Sequence, residues 1–230
     1  MRTSSKVLGV AFLLQAVTSL LSGVILKAAL IVPGNISETM IRITNHAWLM
    51  RANILGEVAT AIGIIFLAAV LFLTLRKQNE VVALIALGLY ILEASLLAAS
   101  RIPALTLLRI SQEYVATGQP TSLLVTGSQA LDAMDFGYTL LMLPFSVGAV
   151  LFYYLLFKSA VIPRGLSLWG LLSVSLVLIA AVFAVCGRDV PFVVFLPYVP
   201  FEFVVGVWIV ARGLKGVSGD TQASLELHQD

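Results

Sequence analysis

Six long apolar stretches fill most of this 230-residue chain. A bilayer core of about 30 Å needs roughly 20 apolar residues per helix, and lipid offers no hydrogen-bond partners to an unpaired backbone. The sequence therefore predicts an all-α integral membrane protein with six transmembrane helices in a single bundle. The predicted spans are Val7–Leu26, Ile54–Leu75, Val81–Ser100, Phe136–Phe157, Leu166–Val185 and Phe192–Val210.

The composition supports this class and excludes others. Charged residues make up 11% of the chain, against about 25% in soluble domains. We expect one transmembrane domain over residues 1–215 and a polar, disordered cytoplasmic tail over 216–230. The formal charge of +2 comes from scattered cations, which argues against nucleic-acid binding. A single cysteine, Cys186, and two distant histidines, His46 and His228, predict neither a disulfide nor a metal or other cofactor.

The connections between spans are of two kinds. Arg76–Glu80 and Lys158–Gly165 are short turns between antiparallel helices. Ala28–Asn53 and Arg101–Asp135 are longer and lie on the opposite side of the membrane. Their sequences are compatible with helix, so we expect interfacial helices or helix extensions there.

The cations predict the orientation. An even number of spans places both termini on the side of the short turns, where most Lys and Arg residues also lie. Because cations in termini and short loops weigh most in the positive-inside rule, we predict cytoplasmic termini. The length of the first span favours a retained helix over a signal peptide. The cations on the terminal side are Arg2, Lys6, Arg76, Lys77, Lys158, Arg164, Arg212 and Lys215.

The second span carries small residues at helical spacing. One series is Ala52, Gly56 and Thr60, and the other is Ala59 and Gly63. Small side chains allow helix backbones to approach closely in lipid. We therefore expect close helix packing along both series.

Two acidic residues fall near the middle of the membrane. At 1.5 Å per residue, Glu93 lies about 18 Å and Glu202 about 15 Å from the terminal side. The two carboxyl groups come from different helices but lie at nearly the same depth. A buried carboxyl group either has a partner or stays protonated, so both a functional and a structural role remain open.

A second set of charges lies near the outer boundary. By the same arithmetic Glu57, Arg101 and Asp135 lie about 28–33 Å up, with Arg51 and Asp132 just beyond. Together they predict an acidic outer vestibule with Arg101 as the counter-ion. Structural alternatives remain: the two aspartates could favour a helix N-terminus, and Glu57 could pair with an arginine.

Helical spacing connects the two levels. One face of the third span carries Tyr90, Glu93, Leu97 and Arg101. We therefore expect the outer vestibule to become narrower toward the two acids at mid-membrane depth. The candidate ligand- or ion-binding residues are Glu93, Glu202, Arg101, Asp135, Glu57, Asp132 and Tyr90.

Prolines mark the start of the sixth span at Pro191, Pro197 and Pro200. Each removes a backbone donor. Two interpretations fit: Glu202 begins a restarted half-helix of the kind that forms binding sites in transporters, or the helix has an irregular start at the interface.

Several short segments along nearly the whole chain carry a family resemblance. They are Ile31–Gly34, Arg76–Glu80, Ile91–Glu93, Ser111–Val115, Leu151–Ser159, Ile162–Arg164, Leu168–Gly170 and Trp208–Val210. Together they resemble a bacterial family of multi-pass membrane proteins, domain of unknown function number 4386. The resemblance implies a bacterial cytoplasmic membrane location, acids at Glu57, Glu93, Asp135 and Glu202, and arginine where this chain has Tyr90 and Met134. It implies no activity.

Three functions fit these residues. The first is a non-catalytic protein that binds a lipid or a partner, with the buried acids as internal struts. The second is a small carrier or channel in which Glu93 and Glu202 bind a proton or cation. The third is an intramembrane enzyme that uses paired carboxylates on a lipid, but no nucleophile motif supports it, so we favour a non-enzyme. The expected partners are the bilayer and a small ligand, cation or proton.

Overall fold

The computed structural model describes residues 2–214, which form helices and loops and contain no strand. The helices are α1 (Arg2–Ser19), a π-helical segment (Leu20–Leu26), α2 (Lys27–Leu30), α3 (Ile36–Asn45), α4 (Ala47–Leu75), α5 (Glu80–Ala99), α6 (Arg101–Ala116), α7 (Thr121–Ser159), α8 (Arg164–Val185), a 3₁₀ turn (Phe192–Phe195) and α9 (Tyr198–Arg212). The predicted tail at 216–230 lies outside the described residues.

Six helical stretches are long and apolar enough to cross a membrane. This confirms the predicted all-α bundle and makes the chain a multi-pass membrane protein. The span containing α7 is the most enclosed, with 56% of its apolar stretch buried against 28–39% in the others. α7 packs against both α5 and α8 and therefore forms the centre of the bundle. The stretches are Lys6–Leu30, Ala47–Leu75, Glu80–Ala116, Thr121–Ser159, Arg164–Val185 and Val193–Arg212.

Two spans are much longer than predicted. The 37 residues from α5 through α6 and the 39 of α7 measure about 55 and 58 Å, nearly twice a bilayer core. Their outer parts pack with α3 around a separate apolar core that contains Met40, Leu107 and Met134. We call α3, α6 and the first third of α7 the outer extension. The predicted fourth span lies within α7, which begins at Thr121 and is stabilised there by α3 and α6, so the helix extension expected in Arg101–Asp135 is present.

The first helix contains a π-helical segment that faces α4. A π turn departs from the α-helical hydrogen-bond pattern, and the Ser22 carbonyl accepts a bond of 2.6 Å from the Asn53 amide. A Cβ atom on Gly56 would lie 2.9 Å from the Ser22 Cβ, so this glycine permits the contact. The predicted close packing is confirmed at Gly56. The prediction for the second series, Ala59 and Gly63, is wrong, since no neighbour lies within 4 Å of a Cβ atom placed on Gly63 and Ala59 is exposed.

The sixth span has an irregular start. After the 3₁₀ turn, α9 begins at Tyr198, and its 15 residues cover only about 22 Å. The Pro197 carbonyl accepts bonds from the Trp169 indole at 3.0 Å and the Ser173 hydroxyl at 3.3 Å, both from α8. Glu202 is the fifth residue of α9 and lies beyond its first turn. Side chains of α8 therefore stabilise the point where α9 begins.

The first and last helices close the bundle through glycine. A Cβ atom on Gly9 would lie 2.8 Å from the Val210 nitrogen and 2.9 Å from the Gly206 carbonyl oxygen. Both are backbone atoms, so a side chain at position 9 forces α1 and α9 apart. We expect Gly9→Ala to lower the free energy of unfolding by about 1–3 kcal/mol.

The matched control is Gly63→Ala, since Gly63 is also helical but has open space around it. Alanine favours helix over glycine, so this variant should be as stable as wild type or slightly more stable. Unfolding in an SDS titration, followed by tryptophan fluorescence, measures both. Equal stability of the two variants would contradict the close approach of α1 and α9.

Candidate functional site

Five polar side chains from three helices meet inside the bundle, and we call them the inner cluster: Tyr90 and Glu93 of α5, Tyr153 of α7, and Tyr198 and Glu202 of α9. The Tyr198 hydroxyl donates to Glu202 Oε1 at 2.8 Å. The hydroxyls of Tyr153 and Tyr198 are 2.9 Å apart, and that of Tyr90 approaches Tyr153. Phenol groups thus connect α5 and α7 to the carboxyl group on α9.

Glu93 is the least satisfied member of the inner cluster. Its side chain is 5% exposed, and Oε2 is buried with no hydrogen-bond partner. The Glu202 carboxyl lies close enough to interact with it electrostatically. Neither acid takes part in an ion pair within residues 2–214. The structure thus brings together the two acids that the sequence placed at one depth, without a cation beside them.

Aromatic rings enclose the inner cluster. Tyr90 packs edge-on against Phe152 with ring centroids 5.3 Å apart, and Tyr153 packs edge-on against Phe201 at 5.0 Å. Phe145 packs similarly on Tyr198 at 5.3 Å. The side chains of Phe152, Tyr153 and Phe201 are fully buried. The Glu93 carboxyl group therefore lies in a closely packed aromatic setting, whereas Glu202 is only partly buried.

Sequence reasoning missed Tyr153 and Tyr198. The available signal was a phenol inside an apolar span, where the hydroxyl group needs a hydrogen-bond partner. That signal does not say which partner is reached, because Tyr153 and Glu202 lie on different helices.

A second group of buried polar side chains, which we call the outer cluster, comprises Asn53, Glu57, Ser100 and Arg101. Glu57 is 3% exposed and Arg101 is 7% exposed. Arg101 donates to the Ser100 hydroxyl from Nη2 at 2.8 Å and from Nε at 3.2 Å. Glu57 interacts with Arg101 electrostatically, without a salt bridge. The suggested pairing of Glu57 with an arginine is therefore not present as an ion pair in residues 2–214, and the opposite charges of Glu57 and Arg101 interact at longer range.

The remaining predicted vestibule residues do not join the outer cluster. Asp135 Oδ1 accepts a hydrogen bond from Lys27 Nζ at 2.6 Å. Both side chains are partly exposed, Asp135 at 49% and Lys27 at 36%. Arg101 therefore forms no ion pair with Asp135, although the two groups interact electrostatically. Asp132 and Arg51 are exposed. Asp132 and Asp135 also lie well inside α7 instead of at its N-terminus, so the helix-dipole interpretation is wrong.

Tyr138 lies between the two clusters. It interacts electrostatically with Glu57 and Arg101 on one side and with Glu93 and Glu202 on the other. Lys27 Nζ lies 5.9 Å from the centre of its ring. Tyr138 therefore interacts with groups of the inner cluster, with groups of the outer cluster and with Lys27.

One protein-family model covers the residues of both clusters. The family model "Domain of unknown function (DUF4386)" matches residues 7–213, from within α1 to the residue after α9. The chain belongs to the DUF4386 family. No curated protein and no solved structure matches it. Family membership thus identifies the domain and leaves the activity to be inferred from the site.

In this DUF4386 chain, the two positions at which the resemblance implies arginine hold neutral side chains. Tyr90 belongs to the inner cluster, and Met134 is buried in the apolar core of the outer extension. Tyr90 places a phenol beside Glu93 where a guanidinium would neutralise it.

The described residues show no arrangement typical of a metal centre. Among them, no group of three or more His, Cys, Asp or Glu side chains is placed to hold a metal ion. The chemistry that the inner cluster supports is the binding and movement of a proton, since it combines two carboxyl groups with three phenols.

Proposed function

We propose that this membrane protein is a small proton-coupled carrier whose proton-binding site is the Glu93–Glu202 pair. The observation that carries the proposal is the unpartnered Oε2 of Glu93, buried next to a second carboxyl group. Two ionised carboxylates at membrane depth without a cation would be strongly unfavourable. The pair therefore holds at least one proton, and its two members compete for it.

The packing around the pair supports a proton in preference to a larger cation. The enclosing rings make edge-on contacts near 5 Å and several are fully buried. A metal or organic cation would have to displace these side chains, whereas a proton needs no room. Binding can take place in the arrangement that the structure shows.

The phenols supply a route for the proton. The hydroxyls of Tyr153 and Tyr198 form a hydrogen-bonded chain that ends at Glu202 Oε1. Each hydroxyl can donate and accept, so the chain can reverse direction when Glu202 gains a proton. Tyr138 interacts electrostatically with Glu202 of this hydrogen-bonded chain and with Glu57 of the outer cluster. If both termini lie in the cytoplasm, as the cations predict, protons reach the pair from outside the cell.

The direct test is infrared difference spectroscopy of the purified protein in liposomes across a pH titration. We expect the C=O stretching band of a protonated carboxyl group, which disappears as pH rises. Glu93→Gln should remove or displace this band. Glu113→Gln is the matched control, because Glu113 is exposed on α6 and far from the pair in the fold.

Proton movement is tested on proteoliposomes adsorbed to a solid-supported membrane. A pH jump should produce a transient current in wild type and in Glu113→Gln, and the current should be lost in Glu93→Gln and Glu202→Gln. A wild type without a titrating carboxyl band and without a transient current would refute the proposal.

A structural role for the acids is the second candidate. The Tyr198 hydrogen bond to Glu202 favours it, since this bond fixes the carboxyl group within α9. Under this role the protein binds a lipid or partner, and Glu202→Gln lowers the melting temperature without changing any pH-jump current. The pH-jump current of wild type and the melting temperature of Glu202→Gln together separate the candidates.

A further inference from the structure

An apolar groove lies beside the outer end of α8, away from both clusters. It has a volume of about 230 Å³ and is lined by side chains of α8, of the following loop and of the 3₁₀ turn. Leu176, Ile179 and Phe183 form its α8 wall, and each is about half exposed. The groove opens at the end of the bundle opposite the termini and faces the lipid.

Two opposite charges stand at the mouth of this groove. Arg188 and Asp189 line it and are exposed. Within residues 2–214 neither side chain forms an ion pair or a hydrogen bond. A cation and an anion on adjacent residues are thus both free to bind a ligand.

The backbone holds these charges in place. Gly187 adopts a φ angle of +74°. Its N–H donates a hydrogen bond to the Ala184 carbonyl, and the Arg188 N–H donates one to the Phe183 carbonyl at 3.0 Å. This is the paired hydrogen-bond pattern of a Schellman motif, which needs a left-handed residue after the helix. The position of the charges relative to the apolar wall is therefore set by the end of α8.

We propose that the groove binds an acyl chain of a zwitterionic phospholipid with a free ammonium group, of the phosphatidylethanolamine type. Arg188 binds the phosphate, for which a guanidinium is well suited, and Asp189 accepts hydrogen bonds from the ammonium. The apolar wall below holds the upper part of the chain.

Charge complementarity selects this lipid over the two other common classes. An anionic phospholipid such as phosphatidylglycerol could bind Arg188 but offers Asp189 no cation. Phosphatidylcholine carries a trimethylated nitrogen that cannot donate a hydrogen bond to Asp189. The site shares no residue with the inner cluster, so it stands independently of the proton-binding proposal.

The single cysteine allows a direct test. Cys186 is exposed and lies next to the groove, so wild type can be labelled there with bimane. The labelled protein is placed in phosphatidylcholine vesicles that contain a rising fraction of one brominated lipid. This lipid is phosphatidylethanolamine, phosphatidylglycerol or phosphatidylcholine, each with brominated acyl chains. We expect brominated phosphatidylethanolamine to quench bimane at about a fivefold lower fraction than the other two, as two interfacial charge contacts would give.

Variants connect this preference to the two charges. Arg188→Gln and Asp189→Asn should each abolish it, and Arg188→Lys should retain most of it. Arg109→Gln, a matched loss of charge at an exposed site on α6, should leave it unchanged. Equal quenching by all three lipids would overturn the proposal, as would a preference for phosphatidylglycerol that depends on Arg188 alone.

Discussion

Replacing Arg101 with methionine is expected to lower the free energy of unfolding by about 3–5 kcal/mol. Arg101 is only 7% exposed, and it interacts electrostatically with Glu57, which is 3% exposed. Methionine keeps the apolar stem and removes the charge, so the buried Glu57 carboxylate loses the stronger of its interactions with two cations and keeps only the weaker one with Lys27. An SDS titration followed by tryptophan fluorescence measures the loss.

Two variants show whether the loss comes from the stranded carboxylate. Arg51→Met removes an arginine from an exposed position of α4 and should cost less than about 0.5 kcal/mol. Glu57→Gln combined with Arg101→Met should recover much of the lost stability, because no uncompensated charge then remains. A double variant no more stable than Arg101→Met alone would contradict the coupling of these residues.

Replacing Phe201 with alanine is expected to lower the free energy of unfolding by about 3 kcal/mol. The ring is fully buried and packs against Tyr153 and against the Trp169 ring, whose centroid lies 5.8 Å away. Lipid tails are as apolar as a phenyl ring, so little of the loss comes from transfer out of water. The estimate therefore takes the lower end of the range for Phe→Ala, which reflects the cavity left behind.

Phe66→Ala is the matched control, since Phe66 is 50% exposed on α4 and leaves no enclosed cavity. We expect a change of less than about 1 kcal/mol there. Trp169 fluorescence should also shift in Phe201→Ala at low SDS, because one face of its ring loses a neighbour. Equal stability of the two variants would mean that the enclosure of the inner cluster does not stabilise the bundle.

The level of the inner cluster could be predicted, but its membership could not. A helix rises 1.5 Å per residue, so counting from the end of a span converts position into depth and places Glu93 and Glu202 at one level. Tyr153 and Tyr198 were missed because the partner of a phenol depends on how helices are rotated toward each other.

The partners of the outer charged residues could not be predicted from local sequence patterns. The predicted first span ends at Leu26, but the helix continues through the π segment and α2 to Leu30. Lys27 thereby reaches Asp135, 108 residues away. α7 likewise begins at Thr121 because α3 and α6 give its outer part an apolar core. Neither result follows from local hydropathy.

The amino-acid sequence was sufficient to predict six membrane-spanning helices and the depth of the buried acids. Both follow from local rules, because lipid forces the backbone to satisfy its hydrogen bonds within each helix. Tertiary structure decided which groups interact: Asp135 forms an ion pair with Lys27, while Glu93 interacts electrostatically with Glu202 and Glu57 with Arg101. These pairings depend on helix rotation, helix length and a π-helical register shift, all of which are set by packing between distant segments.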